Sequence, residues 1–570
     1  MLNRLRLVIV FFILAYITLT VRLFYWQVVK GKTLSIQARG QYEAGETINA
    51  QRGDIFDTKG GWLAASGEAY IVYASIPDLE LPKKKIAEDL ALFFVEDSSN
   101  KGELLAEIDR IYSLINREGA IWVPLKQKVD PSVKEKIEEL SLAGIGFDLQ
   151  EKRVYPESSS SAHLLGFVGK DESGNDTGYF GLEGYWDLAL SGKPGFLNRE
   201  QDAQGLPILL GLTNEVTAIE GASLITNIDK GIQLNIEDRL KEGIEKYGAK
   251  GGVVIVLQPK TGKLMALSAY PSYDPSSYWK YSNEFFINPA ISLSFEPGSV
   301  FKVLVMASAL DAEVLKPDTE CDICAGAVRI DKYTIETWNQ VYHPDATMTE
   351  VIVNSDNVGM VYVSQKLGAD KLYDYLSAFG IGEKSGIDLQ GESSPKLREK
   401  GTWSVVDLAT AGFGQGIAVT PIQLTRAVAA IANHGKLVAP KVVGKIKVNE
   451  WEEDIKTEEV RRVISEKAAS QITQMMVEAA RNGEAKWTHL QGFKVAGKTG
   501  TAQIPIAGHY DAEKTIASFI GFAPYDDPEF VMLVTLQEPQ TSQWASETAA
   551  PLWYSIARDL FVRFGIQPEK

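Results

Sequence analysis

Cysteine, histidine and net positive charge are scarce in this chain of 570 residues. Two cysteines are too few for a disulfide-stapled fold, and five scattered histidines offer little to a zinc enzyme. Lysine and arginine number 58 against 74 aspartate and glutamate residues, a net charge of −16. That charge argues against nucleic-acid binding, because such proteins present a basic face. The composition therefore predicts chemistry that does not depend on a metal. No cofactor is expected either.

Long apolar runs are also few, since 45% of the residues are hydrophobic and 23% are charged. That balance excludes both a disordered chain and a multi-span membrane protein. The exception is residues 7–29, a run long enough for a helix to cross a bilayer. Residues 21–24 are bulky where a signal-peptidase site needs small side chains. We interpret 7–29 as an uncleaved signal anchor after a cytoplasmic stub of residues 1–6; a buried core helix is the alternative.

The length is too great for one hydrophobic core and predicts several domains. Residues 30–245 mix β-like runs with polar helical stretches. The spacing of apolar residues predicts an amphipathic helix over 229–247. Directly after it, 251–271 is typical of a β-hairpin whose turn is Pro259–Gly262. We place the start of the larger domain near this point, at residue 246.

One segment carries the features of an activated serine. In FEPGSVFKVLVMASAL, Pro297-Gly298 favours a turn, and Ser299 opens a long apolar run suited to a buried helix. Lys302 lies three residues further on and therefore on the same helix face. A lysine that loses its proton through desolvation accepts the proton of a neighbouring serine, an alternative to the Ser–His–Asp arrangement. The pair predicts a Ser–Lys nucleophile.

Two further elements follow in the chain. Ser355-Asp356-Asn357 puts a hydroxyl and an amide two residues apart, suited to relaying a proton and binding a peptide-like substrate. Lys498-Thr499-Gly500-Thr501 follows alternating apolar residues, which predict a strand. Its glycine allows close backbone approach, and its lysine and two hydroxyls are suited to holding a carboxylate.

Each of these patterns is common by itself. SxxK also occurs at Ser98, Ser277 and Ser393. SxN recurs twice, and a second KTG at 260–262 lies in the predicted hairpin turn. The ordered set SxxK, SxN and KTG, with the buried helix after Ser299, is typical of penicillin-recognising serine acyltransferases.

Segments outside the three motifs follow the pattern of one family. RGDIFD at 52–57, RVYP at 153–156 and GLE at 181–183 match boxes of a non-catalytic pedestal. AGFGQGIAVTPIQL and ASFIGFAP match segments of a transpeptidase domain. The chain thus resembles a class B penicillin-binding protein over nearly its whole length beyond the anchor. One departure is Asp-Thr-Lys-Gly at 57–60 in place of the usual Asp-Arg-Asn-Gly, which concerns pedestal packing. The stretch 30–245 is too short to include a glycosyltransferase domain, which argues against the bifunctional class A.

The resemblance implies both the fold and the reaction. The expected fold class is α+β, with a transmembrane helix, a mostly β pedestal of the dimerisation type at 30–245, and a transpeptidase domain at 246–570. That last domain is expected to hold an antiparallel sheet flanked by helices, as in serine β-lactamases. The implied activity is peptidoglycan D,D-transpeptidation, in which a stem peptide ending in D-Ala-D-Ala acylates the serine. An amine from a neighbouring stem then resolves the ester, and β-lactams are expected ligands.

The resemblance also assigns roles to the first two motifs. Ser299 is the expected nucleophile and Lys302 its general base. Ser355 and Asn357 are expected to shuttle the proton and position the peptide. These four residues would carry the acylation step.

The third motif and one glycine-rich loop complete the expected site. Lys498, Thr499 and Thr501, with Gly500 between them, are expected to hold the terminal carboxylate. Backbone N–H groups of Ser299 and Thr501 would form the oxyanion hole. The loop Gly414-Gln415-Gly416 would shape the cleft wall.

The implied substrate lies outside the cytoplasmic membrane, so everything beyond the anchor is expected to be extracytoplasmic, in a single-pass protein with a cytoplasmic N-terminus. The resemblance implies a partner as well, a membrane glycosyltransferase of the SEDS type contacted through anchor and pedestal. Two alternatives stay open. One is a hydrolase with the same residues, a D,D-carboxypeptidase or β-lactamase, and the other is a non-enzymatic penicillin-binding scaffold.

The two cysteines form a Cys321-x-x-Cys324 pair. A loop disulfide in an oxidising compartment is the favoured interpretation. A metal site completed by His343 or Asp345 is the alternative, although the spacing is not diagnostic.

Overall fold

The computed structural model describes residues 2–32, 34, 43–95, 97–157, 160–200, 213–506 and 509–569. The chain divides into two compact units. The first comprises residues 1–52 and 191–221, and the second comprises residues 53–190 and 222–570.

The first unit begins with the predicted anchor. An α-helix spans Leu2–Phe24 and continues as one π-helical turn over Tyr25–Val29. The apolar stretch Arg4–Val29 is long enough to cross a membrane, and the unit itself buries none of its hydrophobic window. The predicted helix is therefore present, and its uncovered apolar surface suits lipid. The described part of this unit also contains three antiparallel strands: Glu43–Ile48, Gly195–Glu200 and Thr213–Val216.

The second unit contains a seven-stranded sheet. In spatial order its strands are Trp451–Asp454, Val443–Val448, Ser223–Thr226, Ile55–Phe56, Trp62–Ser75 and Trp122–Val129, with Ile145–Val154 also paired to Trp62–Ser75. Helices Lys83–Phe94 and Lys101–Ile115 pack on it through apolar residues such as Ile86, Leu90 and Ile111. The polar stretches 83–94 and 131–140, which the sequence predicts to be helical, contain the helices Lys83–Phe94 and Pro131–Glu138.

A buried ion pair joins three of the sequence boxes in this region. Arg153 donates from Nε to the Glu183 carboxylate over 2.7 Å, and both side chains are almost inaccessible to solvent. Its Nη1 donates to the Gly53 carbonyl oxygen at 2.9 Å and to the Ser66 hydroxyl at 3.2 Å. A buried charge needs such compensation, because burial removes its water shell. These contacts explain why the boxes around 53, 153 and 183 occur together.

The second half of the chain contains a five-stranded antiparallel sheet. Its strand order is Leu264–Tyr270, Gly251–Leu257, Phe530–Gln537, His509–Ala523 and Ala496–Ile506. The first two strands form the predicted hairpin, so the KTG copy at 260–262 is its turn, as expected. Helices cover both faces, which explains the unbroken burial along Gly251–Leu257.

Two groups of helices supply that cover. Lys230–Tyr247, the predicted amphipathic helix, begins at Asp229, whose side chain accepts from the Gly231 and Ile232 N–H groups. With Ala549–Phe564 it packs against one face of the sheet. Residues of three other helices pack on the opposite face: Lys302–Asp311, Pro421–Ala432 and Glu466–Asn482.

Shorter elements complete the described part of the second unit. The remaining α-helices are Ala162–Leu165, Gly181–Tyr185, Asp187–Leu190, Pro289–Ser292, Met348–Val353, Asn357–Leu367, Ala369–Ala378 and Val405–Gly412. Two-stranded pairs are Phe167–Lys170 with Asp176–Tyr179, Val328–Ile330 with Tyr333–Ile335, and Lys436–Val438 with Glu459–Arg462. The 3₁₀ turns are Ile76–Asp78, Pro275–Lys280, Asn283–Phe286, Gly298–Phe301 and Lys486–Thr488. The favoured disulfide is present, because the structure joins buried Cys321 and Cys324 through their sulfurs.

Candidate active site

Ser299 lies in a tight turn at the start of a buried helix. Gly298 has a φ of +57°, which a glycine adopts without strain, and a 3₁₀ turn follows over Gly298–Phe301. The sequence predicts a helix that begins at Ser299, but the α-helix begins only at Lys302. Ser299 lies in the 3₁₀ turn that precedes it. The serine is half-buried, and its hydroxyl has no hydrogen-bond partner within the described residues. It is therefore free to meet a ligand.

Lys302 is fully buried at the first position of this helix. Its Nζ donates to the Ser355 carbonyl oxygen at 2.5 Å, to the Ser355 hydroxyl at 3.2 Å and to Asn357 Oδ1 at 2.8 Å. Burial, helped by the charge of Lys498, lowers the pKa of Lys302 to about 7, against the opposing influence of Glu484 and Asp356. A lysine with this pKa exchanges protons near neutrality.

The second motif is held by capping of the helix that it precedes. Asp356 is the N-cap of helix Asn357–Leu367, and its Oδ1 accepts from the Val358 and Gly359 N–H groups. Ser355 has a φ of +55°, an uncommon conformation for a residue with a Cβ, and is buried beside Lys302. The amide of Asn357 donates to the Glu336 carbonyl oxygen at 3.1 Å, which leaves its Oδ1 for Lys302.

The third motif lies on the edge strand Ala496–Ile506, as predicted. Lys498 is buried, and its Nζ donates to the carbonyl oxygen of Thr499 at 3.2 Å and to its hydroxyl at 3.1 Å. Burial lowers the pKa of Lys498, while the charge of Glu484 opposes that shift. The Thr501 hydroxyl accepts from the Ala545 N–H at 3.0 Å, so its own proton remains available to a ligand.

Close backbone contacts join the third motif to the turn Gly298–Phe301, which bears Ser299. A Cβ on Gly500 would lie 2.8 Å from the backbone nitrogen of Val300, too close for any larger residue. A Cβ on Gly298 would meet the Thr501 carbonyl oxygen at 3.1 Å. Both glycines are therefore needed for the edge strand to approach the turn that bears Ser299. Packing within the chain therefore requires a glycine at position 500 of the KTG motif.

The glycine-rich loop packs against the same turn. Gly414 accepts at its carbonyl oxygen from the Gly298 N–H at 3.0 Å, and a Cβ on Gly414 would lie 2.2 Å from the Gly298 carbonyl oxygen. Gly416 donates its N–H to the Glu296 carboxylate at 3.1 Å, and Gln415 donates its N–H to the Thr410 carbonyl oxygen at 3.0 Å. The loop thus adjoins the turn that bears Ser299 directly.

The structure therefore brings the residues predicted from sequence together at one place. Lys302 links the first motif to the second, and Gly500 links the third motif to the first. The competing SxxK, SxN and KTG copies lie elsewhere: the copy at Ser98 precedes a helix capped by Asn100, and the second KTG is a hairpin turn. Tertiary packing thus brings one copy of each motif together at one place.

Three residues at this place were not anticipated. Glu484 accepts a hydrogen bond from the Thr499 hydroxyl at 2.7 Å. Trp338 donates from Nε1 to the Asn354 carbonyl oxygen at 3.4 Å, and its ring packs against that of Trp544 with centroids 5.2 Å apart. No local pattern marks these residues, because each reaches the site through a long-range contact. The Trp pair connects the segment before Ser355 with the segment that donates to Thr501.

This geometry defines a class of protein, the serine acyltransferases that use a Ser–Lys pair. Comparisons with known proteins agree. Residues 252–560 match the penicillin-binding protein transpeptidase domain, and residues 47–226 match the penicillin-binding protein dimerisation domain.

Similar proteins and structures extend the match. Stage V sporulation protein D of Bacillus subtilis is 30% identical over 580 residues, covering 100% of this chain and 87% of that protein. The peptidoglycan D,D-transpeptidase FtsI of Buchnera aphidicola is 28% identical over 583 residues, covering 100% of this chain and 96% of that protein. The crystal structure of penicillin-binding protein 2X from Streptococcus thermophilus superposes with a TM-score of 0.74 at 24% identity, covering 92% of this chain and 83% of that chain.

The chain belongs to the penicillin-binding proteins, in the class B group that joins a dimerisation domain to a transpeptidase domain. Its activity is that of a serine-type peptidoglycan D,D-transpeptidase of cell-wall synthesis, and it binds penicillins. The fold and the family expected from sequence are therefore confirmed.

Proposed function

We propose that Ser299 is the nucleophile of this transpeptidase and that Lys302 is its general base. The neutral Lys302 amine takes the Ser299 proton as Oγ attacks the carbonyl carbon between the two terminal D-alanines. The oxyanion forms beside the backbone N–H groups of Ser299 and Thr501. The C–N bond then breaks, D-alanine leaves with the proton, and Ser299 holds the stem peptide as an ester. The buried position of Lys302, three residues after a serine with a free hydroxyl, carries the proposal.

Ser355 and Asn357 serve proton transfer and binding in this scheme. The Ser355 hydroxyl lies 3.2 Å from Lys302 Nζ, within reach for relaying a proton toward the leaving amine. Asn357 fixes the lysine through Oδ1, and with its side chain half-buried it faces the peptide backbone of the donor. In the second half-reaction the same groups take a proton from the acceptor amine. That amine attacks the ester carbonyl, Ser299 leaves with a proton, and the cross-link is made.

The donor's terminal carboxylate is held by the third motif. Lys498 contributes its charge, and the Thr501 hydroxyl contributes its proton. The Thr499 hydroxyl turns its hydrogen bond from Glu484 to the incoming carboxylate. Gly500 adds no side chain, and the loop at 414–416 forms the adjoining wall.

Covalent labelling tests the assignment of the nucleophile. The full chain in detergent is incubated with fluorescent penicillin beside Ser299→Ala and a matched Ser294→Ala variant, an exposed serine five residues upstream. We expect stable label on the wild type and on Ser294→Ala, and none on Ser299→Ala. Label on Ser299→Ala would refute the assignment. Label that is lost quickly would instead favour a hydrolase, and a folded wild type without label would favour a scaffold.

We propose further that residues 1–6 are cytoplasmic and that the pedestal and catalytic domains, at 30–245 and 246–570, lie outside the membrane. The uncovered apolar surface of Arg4–Val29 and the location of peptidoglycan support this topology. A C-terminal alkaline phosphatase fusion tests it, since that enzyme is active only outside the cytoplasm. Activity of a cytoplasmic reporter at the same position would contradict the topology.

The proposed partner is a membrane glycosyltransferase of the SEDS type, which would supply the glycan strand that this enzyme cross-links. An anchor that the described residues leave uncovered, followed in sequence by a pedestal domain, supports such a contact. Co-purification from membranes with the Ser299→Ala variant tests binding apart from catalysis. Equal recovery after exchange of residues 7–29 for an unrelated anchor would count against a contact through the membrane helix.

A further inference from the structure

Glu484 lies against the third motif from a part of the chain that the three motifs do not include. It follows the helix Glu466–Asn482, and its Oε2 is 2.7 Å from the Thr499 hydroxyl oxygen. Gly483 fixes the backbone before it, because a Cβ there would lie 2.4 Å from the Ala479 carbonyl oxygen and 3.0 Å from that of Val353. Val353 ends the helix before the second motif. Glu484 is thus held between two of the catalytic elements.

The direction of the hydrogen bonds follows from the groups involved. An ammonium group only donates, and a carboxylate only accepts. The Thr499 hydroxyl therefore accepts from Lys498 Nζ at 3.1 Å and donates to Glu484 at 2.7 Å. This chain of three groups gives the Thr499 hydroxyl one orientation.

The charge of Glu484 also acts on both buried lysines. Glu484 raises the pKa of Lys302 and the pKa of Lys498, in each case against burial. Lys302 is further affected by Lys498, which lowers its pKa, and by Asp356, which raises it. Two buried ammonium groups near each other need such an anion, because desolvation and mutual repulsion both favour loss of a proton. A carboxylate at residue 484 is thus suited to keeping Lys498 charged while Lys302 serves as a base.

We propose that Glu484 is a positioning residue of the transferase site. It favours the charged form of Lys498 and orients the Thr499 hydroxyl, and when the donor binds it yields the Thr499 hydrogen bond to the donor's carboxylate. The inference rests on the roles proposed above for Lys302, Lys498 and Thr499. It adds a residue that lies outside the SxxK, SxN and KTG motifs.

The test replaces Glu484 by glutamine, which keeps the shape and the acceptor oxygen but removes the charge. Acylation by fluorescent penicillin is followed as a function of pH for wild type, Glu484→Gln and Glu466→Gln. The control makes an equivalent change at the exposed start of the helix that precedes Glu484. Because the Glu484 carboxylate raises the pKa of Lys302, we expect the rising limb of the Glu484→Gln profile to move to lower pH, by about half a unit or more. The Glu466→Gln profile should match the wild type. An unmoved rising limb in Glu484→Gln would overturn the proposal.

A double-mutant cycle checks that the effect passes through Thr499. Glu484→Ala and Thr499→Val are each expected to weaken acylation by a penicillin, and the double variant should be little worse than either single one. Independent, multiplying effects would contradict the hydrogen-bond chain.

A third measurement does not depend on activity. The melting temperature of Glu484→Gln is compared with that of wild type across the same pH range. Glu484 favours the charged lysines, so loss of its charge should destabilise the fold most at low and neutral pH and less as the lysines lose their protons. A difference that does not change with pH would overturn the proposal even if the enzyme failed to react with penicillin. Absence of label on wild type with this pH trend intact would count against the proposed nucleophile alone.

Discussion

The pH dependence of acylation follows directly from the environment of Lys302. The pKa of this buried lysine is about 7, against an ordinary value of 10.5. About half of the Lys302 side chains are then neutral at pH 7, whereas an ordinary lysine would be neutral in about one molecule in three thousand. Burial thus raises the fraction of competent base by about a thousandfold at neutral pH.

The acylation rate is expected to rise with pH. Because the folded enzyme must deprotonate Lys302 to act, the acylation rate should rise about tenfold per pH unit below about pH 7 and level off above it. Rapid mixing of the full chain with fluorescent penicillin between about pH 5 and about pH 9 measures this limb. A rate that does not change across that interval would refute the assignment of Lys302 as base.

Arginine at the same position separates charge from base function. Lys302→Arg keeps a positive charge but does not give up its proton at these pH values. We expect acylation to fall by about 10²-fold to 10⁴-fold at neutral pH. Retention of most of the wild-type rate, with Lys302→Arg still folded by its melting temperature, would show that the lysine acts only as a charge.

Two further substitutions test packing around the site and in the pedestal. Gly500→Ala should slow acylation by about a hundredfold, because its Cβ would force the edge strand away from the turn that bears Ser299. The control Gly326→Ala should leave the rate unchanged, since no atom lies within 4 Å of its Cβ. Equal rates for the two variants would refute the close approach. Glu183→Ala should lower the free energy of unfolding by about 3–5 kcal/mol, because it leaves Arg153 buried without its partner. The control is Glu138, which pairs with Lys134 at the surface. Glu138→Ala should lower the free energy of unfolding by about 0.5 kcal/mol or less in a denaturant titration. Similar losses for Glu183→Ala and Glu138→Ala would contradict the argument.

Much of the candidate site follows from local sequence because its motifs depend on local structure. Gly298 favours the turn, the apolar run after Ser299 favours a buried helix, and Asp356 caps the helix after Ser355. The hairpin turn at 260–262 is likewise local, so the residues around the second KTG are enough to distinguish it from the functional copy. The order of the motifs along the chain then indicates the family.

The remaining features depend on long-range contacts that no local pattern encodes. Glu484 reaches Thr499 only because the end of one helix packs beside the edge strand, and Trp338 meets Trp544 across more than two hundred residues of sequence. The seven-stranded sheet likewise pairs Ser223–Thr226 with Val443–Val448, strands distant in sequence, which a division of the chain at residue 246 does not anticipate. Side-chain pairing and strand order are set by tertiary packing, which overrides local preference.

The central claim, transfer through an ester on Ser299, is tested most directly by the mass of the enzyme trapped with a stem pentapeptide ending in D-Ala-D-Ala. The account predicts an increase equal to the pentapeptide less its terminal D-alanine, located on Ser299 by peptide mapping and absent from Ser299→Ala. The adduct should disappear when an acceptor amine is added, with a cross-linked peptide in its place. An adduct on another residue, or cross-linking by Ser299→Ala, would contradict it.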